Sequence, residues 1–383
     1  TSDYPENALE TVFYPTNKIR LPVNKENVIK SGLVKEKDSD LILDYIDIDL
    51  PESIITKNQI MMLDILANNN WERPIYFTGG SYEESEYIWM KDYLQLDGLV
   101  YKLVPIKTSI ENNPYEMGRI DSDLMYNIVK KWSWGNSESD EIYHDPETRK
   151  NSISFRGNLS RLSEKLISEG EYEKAEEILD LAFSKMPIDY YGYYSLWTPL
   201  VKSYYDIGKS EKVKEIVQKL SFKYSDRLSY FSSLEIFNQY DVGEEIISDI
   251  ERFRNLIETI QESGEREILA DQIKSFISSS EQFNYIYGEY DYYISLSNFL
   301  VSLLELNEVE YSMSVIDKIE EQLIRRVSVF SNIDEDEQVY YLEGITSDIN
   351  QYSRLINQIE VYDIDAYNKY DKNLKDMLAR MIE

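Results

Sequence analysis

Asn70-Trp71-Glu72-Arg73-Pro74-Ile75-Tyr76-Phe77-Thr78-Gly79-Gly80 is the segment from which the fold of the first third of this chain is read. Just upstream, Asn58 to Asn68 carries Ile60, Leu63, Leu66 and Ala67 at helical spacing. Asn68-Asn69-Asn70 ends that helix, because asparagine tolerates the left-handed cap conformation. Ile75-Tyr76-Phe77 then reads as a short buried strand closed by a Gly79-Gly80 turn. Downstream, Tyr93-Leu94-Gln95-Leu96-Asp97-Gly98-Leu99-Val100-Tyr101-Lys102-Leu103-Val104-Pro105 predicts a further strand over Leu99 to Val104, stopped by the proline. Helix, strand and strand again make a small mixed α/β domain.

Working outward, Lys18-Ile19-Arg20-Leu21-Pro22-Val23 alternates with a period of two, as do Ile46, Ile48 and Leu50 with Asp47 and Asp49. Both are half-buried strands. Asp121 or Ser122 caps a helix carrying Leu124, Met125, Ile128 and Val129. A polar loop from Trp132 to Asp145-Pro146 then marks a domain boundary near residue 150. Beyond it the pattern is helical. Arg156 to Asp189 fits the 34-residue tetratricopeptide template, with Leu159, Leu162 and Leu166, a turn at Gly170 and Tyr172, then Ala175, Leu179, Ala182 and Pro187. A looser unit follows: Gly208 and Val213 lie 38 positions after Gly170 and Ala175. Two such units are too few to bury their own faces, so later helices must cover them. Stripes at Ile246 to Ile260, Ile268 to Ile277 and Val315 to Val327 supply those helices, followed by Ile345 to Ile359 and Tyr367 to Ile382. Tyr292 to Leu306 reads as one buried helix, and Asp334-Glu335-Asp336-Glu337 as an acidic loop or helix start. The expected class is α+β: a mixed α/β domain over 1–150, tetratricopeptide-like hairpins over 151–230, and a C-terminal helical bundle over 231–383.

A net charge of −31 over 383 residues repels phosphate backbones, so no nucleic-acid partner is expected. There is no cysteine, hence no disulfide and no thiolate metal site. No run of 18 apolar residues occurs, so no membrane span is expected within the chain. It begins Thr1-Ser2 with no signal peptide and reads as part of a longer polypeptide. The 33 tyrosines suit helix packing beside a wet surface, and also sugar stacking.

Few residues invite chemistry. His144 is the single histidine, in Tyr143-His144-Asp145-Pro146, where a structural role with Asp145 capping the next helix competes with a binding role for Tyr143 and His144. Trp132 and Trp134 are two apart; in an extended segment both face one side, as a sugar-stacking or docking platform or as a plug between the α/β part and the helices. Asp121-Ser122-Asp123 has the spacing of a cation-holding pair, but helix capping already explains it. Asp44, Asp47 and Asp49 form a second carboxylate cluster without an EF-hand pattern. Gly79-Gly80 lacks the spacing of a phosphate loop. Turn-forming and ion-pair roles account for Arg73 and Asp97.

The two opening segments, together with Asn17-Lys18-Ile19-Arg20-Leu21-Pro22-Val23, Lys57 to Asp64, Trp89 to Tyr93, Met117 to Asp123 and Tyr143 to Arg149, resemble the soluble C-terminal region of a bacterial membrane-protein family. These are the DUF 2723 proteins, also classed as family 117 glycosyltransferases and similar to protein O-mannosyltransferases. The resemblance covers roughly residues 10 to 225. It implies that catalysis belongs to a membrane-embedded half, where an acidic residue activates the acceptor hydroxyl and a lipid-linked sugar is donor. No catalytic residue carries over onto this chain, and no cofactor or metal is expected. The resemblance further implies a non-catalytic tail on the periplasmic side of the inner membrane. Its partners would be the membrane-embedded half of the same polypeptide and an acceptor polypeptide or other protein held by the helices. The alternative is a stand-alone tetratricopeptide-like interaction scaffold. A hydrolase or metal enzyme built on His144 and nearby aspartates is the remaining reading.

Overall fold

The computed structural model describes residues 16–50, 55–78, 87–108 and 117–382; the Gly79-Gly80 turn lies outside them. The chain is α+β and helix-rich, 70% helical, with small antiparallel sheets near the N-terminus. Its contacts separate it into two units, Thr1–Tyr191 and Gly192–Glu383.

In the first unit, β1 (Lys18–Pro22) pairs antiparallel with β2 (Tyr45–Asp49). Between them lies the short helix α1 (Lys25–Lys30), capped by the Asn24 side chain. Ile46 and Ile48 face the core, whereas Asp47 and Asp49 face outward. The register sets each carboxylate opposite a cation: Arg20 donates to Asp47 at 2.8 and 3.0 Å, and Lys18 lies 3.1 Å from Asp49. Asp44 is paired with Lys25 at 2.8 Å. This carboxylate cluster is therefore a set of ion pairs, two of them across the strands and one to α1.

Helix α2 (Lys57–Asn69) opens with a capping box in which the Thr56 N–H donates to Gln59 Oε1 at 2.8 Å. That bond turns Gln59 inward. The expected stripe holds at Leu66, which is buried, and at half-buried Leu63, but Ile60 is 55% exposed and Ala67 is exposed too, with Gln59 buried instead. The helix ends as expected, with Asn70 left-handed at φ 47°. Trp71 follows at φ 60°, a conformation costing a bulky residue about 1–3 kcal/mol. Its ring is buried and Nε1 donates to the Pro22 carbonyl at 2.8 Å. Removing roughly 200 Å² of indole from water at about 25 cal/mol per Å² offsets the strain.

The second sheet has the order β3-β5-β4: β3 (Tyr76–Thr78), β4 (Leu94–Asp97) and β5 (Val100–Leu103). The expected buried strand at Ile75-Tyr76-Phe77 is instead an edge strand, with Tyr76 50% exposed, because only one of its sides meets a partner. β4 escaped the sequence reading because its four residues are all buried and do not alternate simply. A two-residue turn led by Gly98 at φ 73° joins β4 to β5, as hairpin twist requires. The outer edge of β4 is closed by main-chain bonds to Arg119 at 2.8 and 2.9 Å.

Helix α3 (Ser122–Val129) is capped by Asp121, whose Oδ1 accepts from the Leu124 N–H at 3.0 Å. α4 (Pro146–Ser168) is capped by Asp145 and leads through Gly170 into α5 (Tyr172–Lys185) and the short α6 (Ile188–Tyr191). Leu159, Leu162, Leu166, Ala175, Leu179 and Ala182 are all fully buried in the α4–α5 hairpin. Residue 150 falls inside α4, and α4 is fastened to the sheet region. Asn158 Nδ2 donates to the Gly98 carbonyl at 2.8 Å, and Arg161 to the carbonyls of Met117 and Gly118 at 2.9 and 2.7 Å. Those bonds explain why this first hairpin shares a unit with the strands.

The second unit is helical: α7 (Thr198–Asp206), α8 (Ser210–Ser232), α9 (Ile236–Asp241), α10 (Gly243–Glu262), α11 (Leu269–Ser280), α12 (Asn284–Tyr287), α13 (Glu289–Ile294), α14 (Ser297–Glu305), α15 (Val309–Ser331), α16 (Glu335–Ile359) and α17 (Ile364–Ile382). The acidic run is thus a helix start, with Asp334 at the cap position. The expected single helix from Tyr292 to Leu306 is broken at Ser295-Leu296. At that break Arg254 donates to the Ser295 carbonyl at 3.1 Å, in place of a helical N–H, and to the Ser295 hydroxyl at 3.0 Å.

The α4–α5 turn recurs twice in this unit. The Glu171 N–H bonds the Leu166 carbonyl around left-handed Gly170; Lys209 bonds Tyr204 around Gly208; Glu308 bonds Leu303 around Asn307 at φ 64°. Five residues after each turn residue sits a fully buried Ala175, Val213 or Ser312. First helices lie against first helices, α7 on α10 and α14 on α16; second helices lie likewise, α8 on α11 and α15 on α17. α15, α16 and α17 are tied by a buried network in which Glu320 accepts from Tyr352 at 2.9 Å and Asn373 at 3.1 Å. Burial and the Glu320 charge push the Tyr352 hydroxyl well above its usual range, so it stays a donor.

Substituting Ala175→Leu should overfill the α4–α5 contact and lower unfolding free energy by about 1–3 kcal/mol in urea titration. A loss under about 0.5 kcal/mol would show that this contact is not close-packed.

Between α3 and α5, Glu177 accepts from Lys130 at 2.8 Å and Tyr126 at 2.6 Å. The Lys130 bond first, then the Tyr126 bond, hold its carboxyl below the ordinary glutamate range. The depressed value makes this contribution complete above the unfolded pKa and lost as pH falls through the folded one. Wild type and Glu177→Gln should therefore differ in urea midpoint at neutral pH and converge in acid; a constant difference would contradict this.

Candidate functional site

The sequence-derived residues occupy two separate clusters in the first unit. Trp132 and Trp134 lie edge to face, 5.6 Å between ring centroids, and both meet Phe155 of α4, at 5.2 and 5.6 Å. They are half-buried. A Cβ added to Gly98 would meet Trp132 Cζ2 at 3.1 Å, so Trp132 rests against the β4–β5 turn. The two indoles thus fill the space between the hairpin turn and α4. His144 belongs to another group: its ring stacks on Tyr190 at 5.6 Å and tilts against Tyr191 at 5.0 Å, while Nε2 contacts the Ser139 carbonyl at 3.0 Å. Asp145 beside it caps α4, accepting from Glu147 and Thr148 at 2.9 and 3.0 Å. Tyr143 points away, 81% exposed.

The Asp121-Ser122-Asp123 carboxylates are already engaged. Asp121 accepts from the helix start and from Lys35 at 2.7 Å; Asp123 faces Lys37 at 3.4 Å and Lys174 at 3.3 Å. Bonding to Lys174 in particular holds the Asp123 carboxyl below its usual range. The Arg73 guanidinium has no ion pair among the described residues; its carbonyl accepts from Asn69 at 2.8 Å. Asp97 does form the ion pair expected of it. Lys102 lies 3.0 Å from Asp97, both side chains 4% exposed, and Gln95 donates to Asp97 at 2.8 Å. All three stand on one face of the β4–β5 hairpin, since Gln95 and Lys102 are register partners.

A further concavity lies elsewhere, in the second unit. A groove of about 800 Å³ runs between the C-terminal end of α10, α14 and the second half of α16. Gln261 of α10 donates to Ser302 Oγ of α14 at 2.7 Å, and Arg266 to the Glu305 carbonyl at 2.8 Å, fixing that side. Val301, Leu306 and Leu355 supply apolar floor. The side chains of Asn298, Arg354 and Gln358 line it without a hydrogen bond or ion pair to another described residue, while the Asn298 carbonyl accepts from Gln261 at 3.5 Å. A second concavity of about 670 Å³ continues along α16 from Gln351 and Arg354 to Leu342 and Val339. No local sequence signal marks this site, because its lining comes from three separate helices and is spread from Gln261 to Gln358.

The class is an α+β, helix-rich chain whose N-terminal third is similar to a domain associated with a membrane protein. The family model described as TMEM260-associated domain 2 matches residues 2–124. That match overlies most of the segments carrying the DUF 2723 resemblance, and its description speaks of a membrane protein rather than of sugar transfer. No curated protein and no solved structure gives a significant match. Among the described residues, no helix is long and apolar enough to cross a membrane.

The buried pair yields a direct test. Lys102→Met leaves Asp97 buried without its cation and should cost about 3–5 kcal/mol, whereas Asp97→Leu with Lys102→Met should restore most of the stability. Equal losses in single and double variants would show that the pair is not the dominant interaction there.

Proposed function

We propose that this chain is an extramembrane part of a polytopic, glycosyltransferase-like membrane protein, lying on the periplasmic side and taking no chemical part in transfer. The observation that carries the reading is the match of residues 2–124 to TMEM260-associated domain 2. The engagement of Asp121 and Asp123 in capping and lysine pairs supports a structural role for the one motif that invited cation chemistry. The work of the helical unit is then to hold a polypeptide, an acceptor or a partner, near the membrane-embedded half. Repeated hairpins with side-by-side first helices suit that task, because they present a continuous surface made of many helices.

Two measurements test this. In cells carrying the full-length protein with an epitope in this chain, protease added to spheroplasts should destroy the epitope. Protection until the inner membrane is lysed would refute the periplasmic placement. The isolated chain, incubated with lipid-phosphate sugar donors and peptide acceptors, should transfer no sugar, and any transfer would refute the non-catalytic role.

A further inference from the structure

Building on the partner-holding role just proposed, we infer that the α10–α14–α16 groove binds one extended, uncharged stretch of polypeptide, gripped by its main chain. Three observations lead there. The first is charge. The chain carries −31 overall, yet the charged groups lining the groove are two acids, Glu265 and Glu305, and two arginines, Arg266 and Arg354, and its continuation along α16 adds only Glu343. A trough this close to neutral in a strongly acidic chain favours a ligand without net charge over a basic one.

The second is the chemistry of the unpartnered groups. Asn298 and Gln358 each offer a carbonyl acceptor and an amide donor, and Arg354 offers donors only. A main chain in extended form presents N–H and C=O groups in alternation and needs such two-way partners. A bound helix has already satisfied its own main chain and would leave these polar groups unused. A glycan would call for an aromatic platform, and no Tyr, Trp or Phe lines the groove despite 33 tyrosines in the chain.

The third is extent. From Val339 to Gln358, α16 offers one continuous face about 30 Å long at 1.5 Å per residue. That span seats about eight or nine extended residues at roughly 3.3–3.6 Å each. The Arg354 end of the face offers hydrogen bonds; the Val339 and Leu342 end, with both side chains at least half exposed, offers apolar contact.

The test uses the full chain, immobilised and panned against a phage-displayed library of random twelve-residue peptides. Selected sequences should carry little net charge. Synthetic copies should lose at least tenfold in affinity for the Asn298→Ala, Arg354→Ala, Gln358→Ala triple variant, whose changes are all at exposed positions and should leave the circular dichroism spectrum unchanged. Methylating successive main-chain nitrogens of a selected peptide should weaken binding at least tenfold at some positions. Failure to enrich any peptide, enrichment of strongly charged peptides, undiminished binding to the triple variant, or indifference to N-methylation would each overturn the proposal. Glycan-array binding abolished by the same triple variant would overturn it too. A chain that passes the spheroplast test but selects no peptide sinks the groove assignment and leaves the topological one standing.

Discussion

A single left-handed residue between two helices is the constraint on which most of this architecture depends. At Gly170, Gly208 and Asn307 the chain reverses through one positive φ, and the next N–H returns to a carbonyl five residues back. That bond satisfies an otherwise orphaned helix end and fixes where the second helix begins. Because the reversal is so short, the residue five positions later meets the first helix closely and must be small or slim. Ala175, Val213 and Ser312 meet that demand. Each hairpin then has an apolar face it cannot bury alone, and within the second unit neighbouring hairpins cover one another.

The strand-bearing region solves a different problem. Its sheets are too small to hide their own edges, so side chains and main chain from elsewhere finish them. Trp71 reaches the end of β1, Arg119 closes β4, and Asn158 and Arg161 of α4 take carbonyls of the Gly98 and Met117-Gly118 segments. The same construction explains the tryptophan pair. Trp132 and Trp134 pack with Phe155 beside the Gly98 turn, where a glycine is needed both for its φ and for the closeness of the indole.

Three buried tyrosines on the helices share one arrangement. Their hydroxyls are pushed upward by burial and remain donors to carboxylates or carbonyls: Tyr352 to Glu320, Tyr370 to Asp317 and Tyr290 to the Asp348 carbonyl. This gives these three tyrosines a packing role: each buries a ring and specifies a partner. The groove presents exposed polar groups instead: the side chains of Asn298, Arg354 and Gln358 have no partner among the described residues.

Much of this was written locally and could be read so. Alternation gave β1 and β2, Asp121 and Asp145 announced their helices, and Asn70 ended α2, because each depends on residues within one turn or strand. The Gly170 and Gly208 hairpins were legible for the same reason, whereas the third was hidden by asparagine standing in for glycine. What tertiary structure alone decided are the outcomes of long-range competition. Gln59 rather than Ile60 faces inward once the cap forms, Arg254 donates to the Ser295 carbonyl at a helix break, and β3 is left at an edge. The groove belongs with these: its residues become neighbours only when α10, α14 and α16 stack, and no spacing along the chain encodes a surface drawn from three helices.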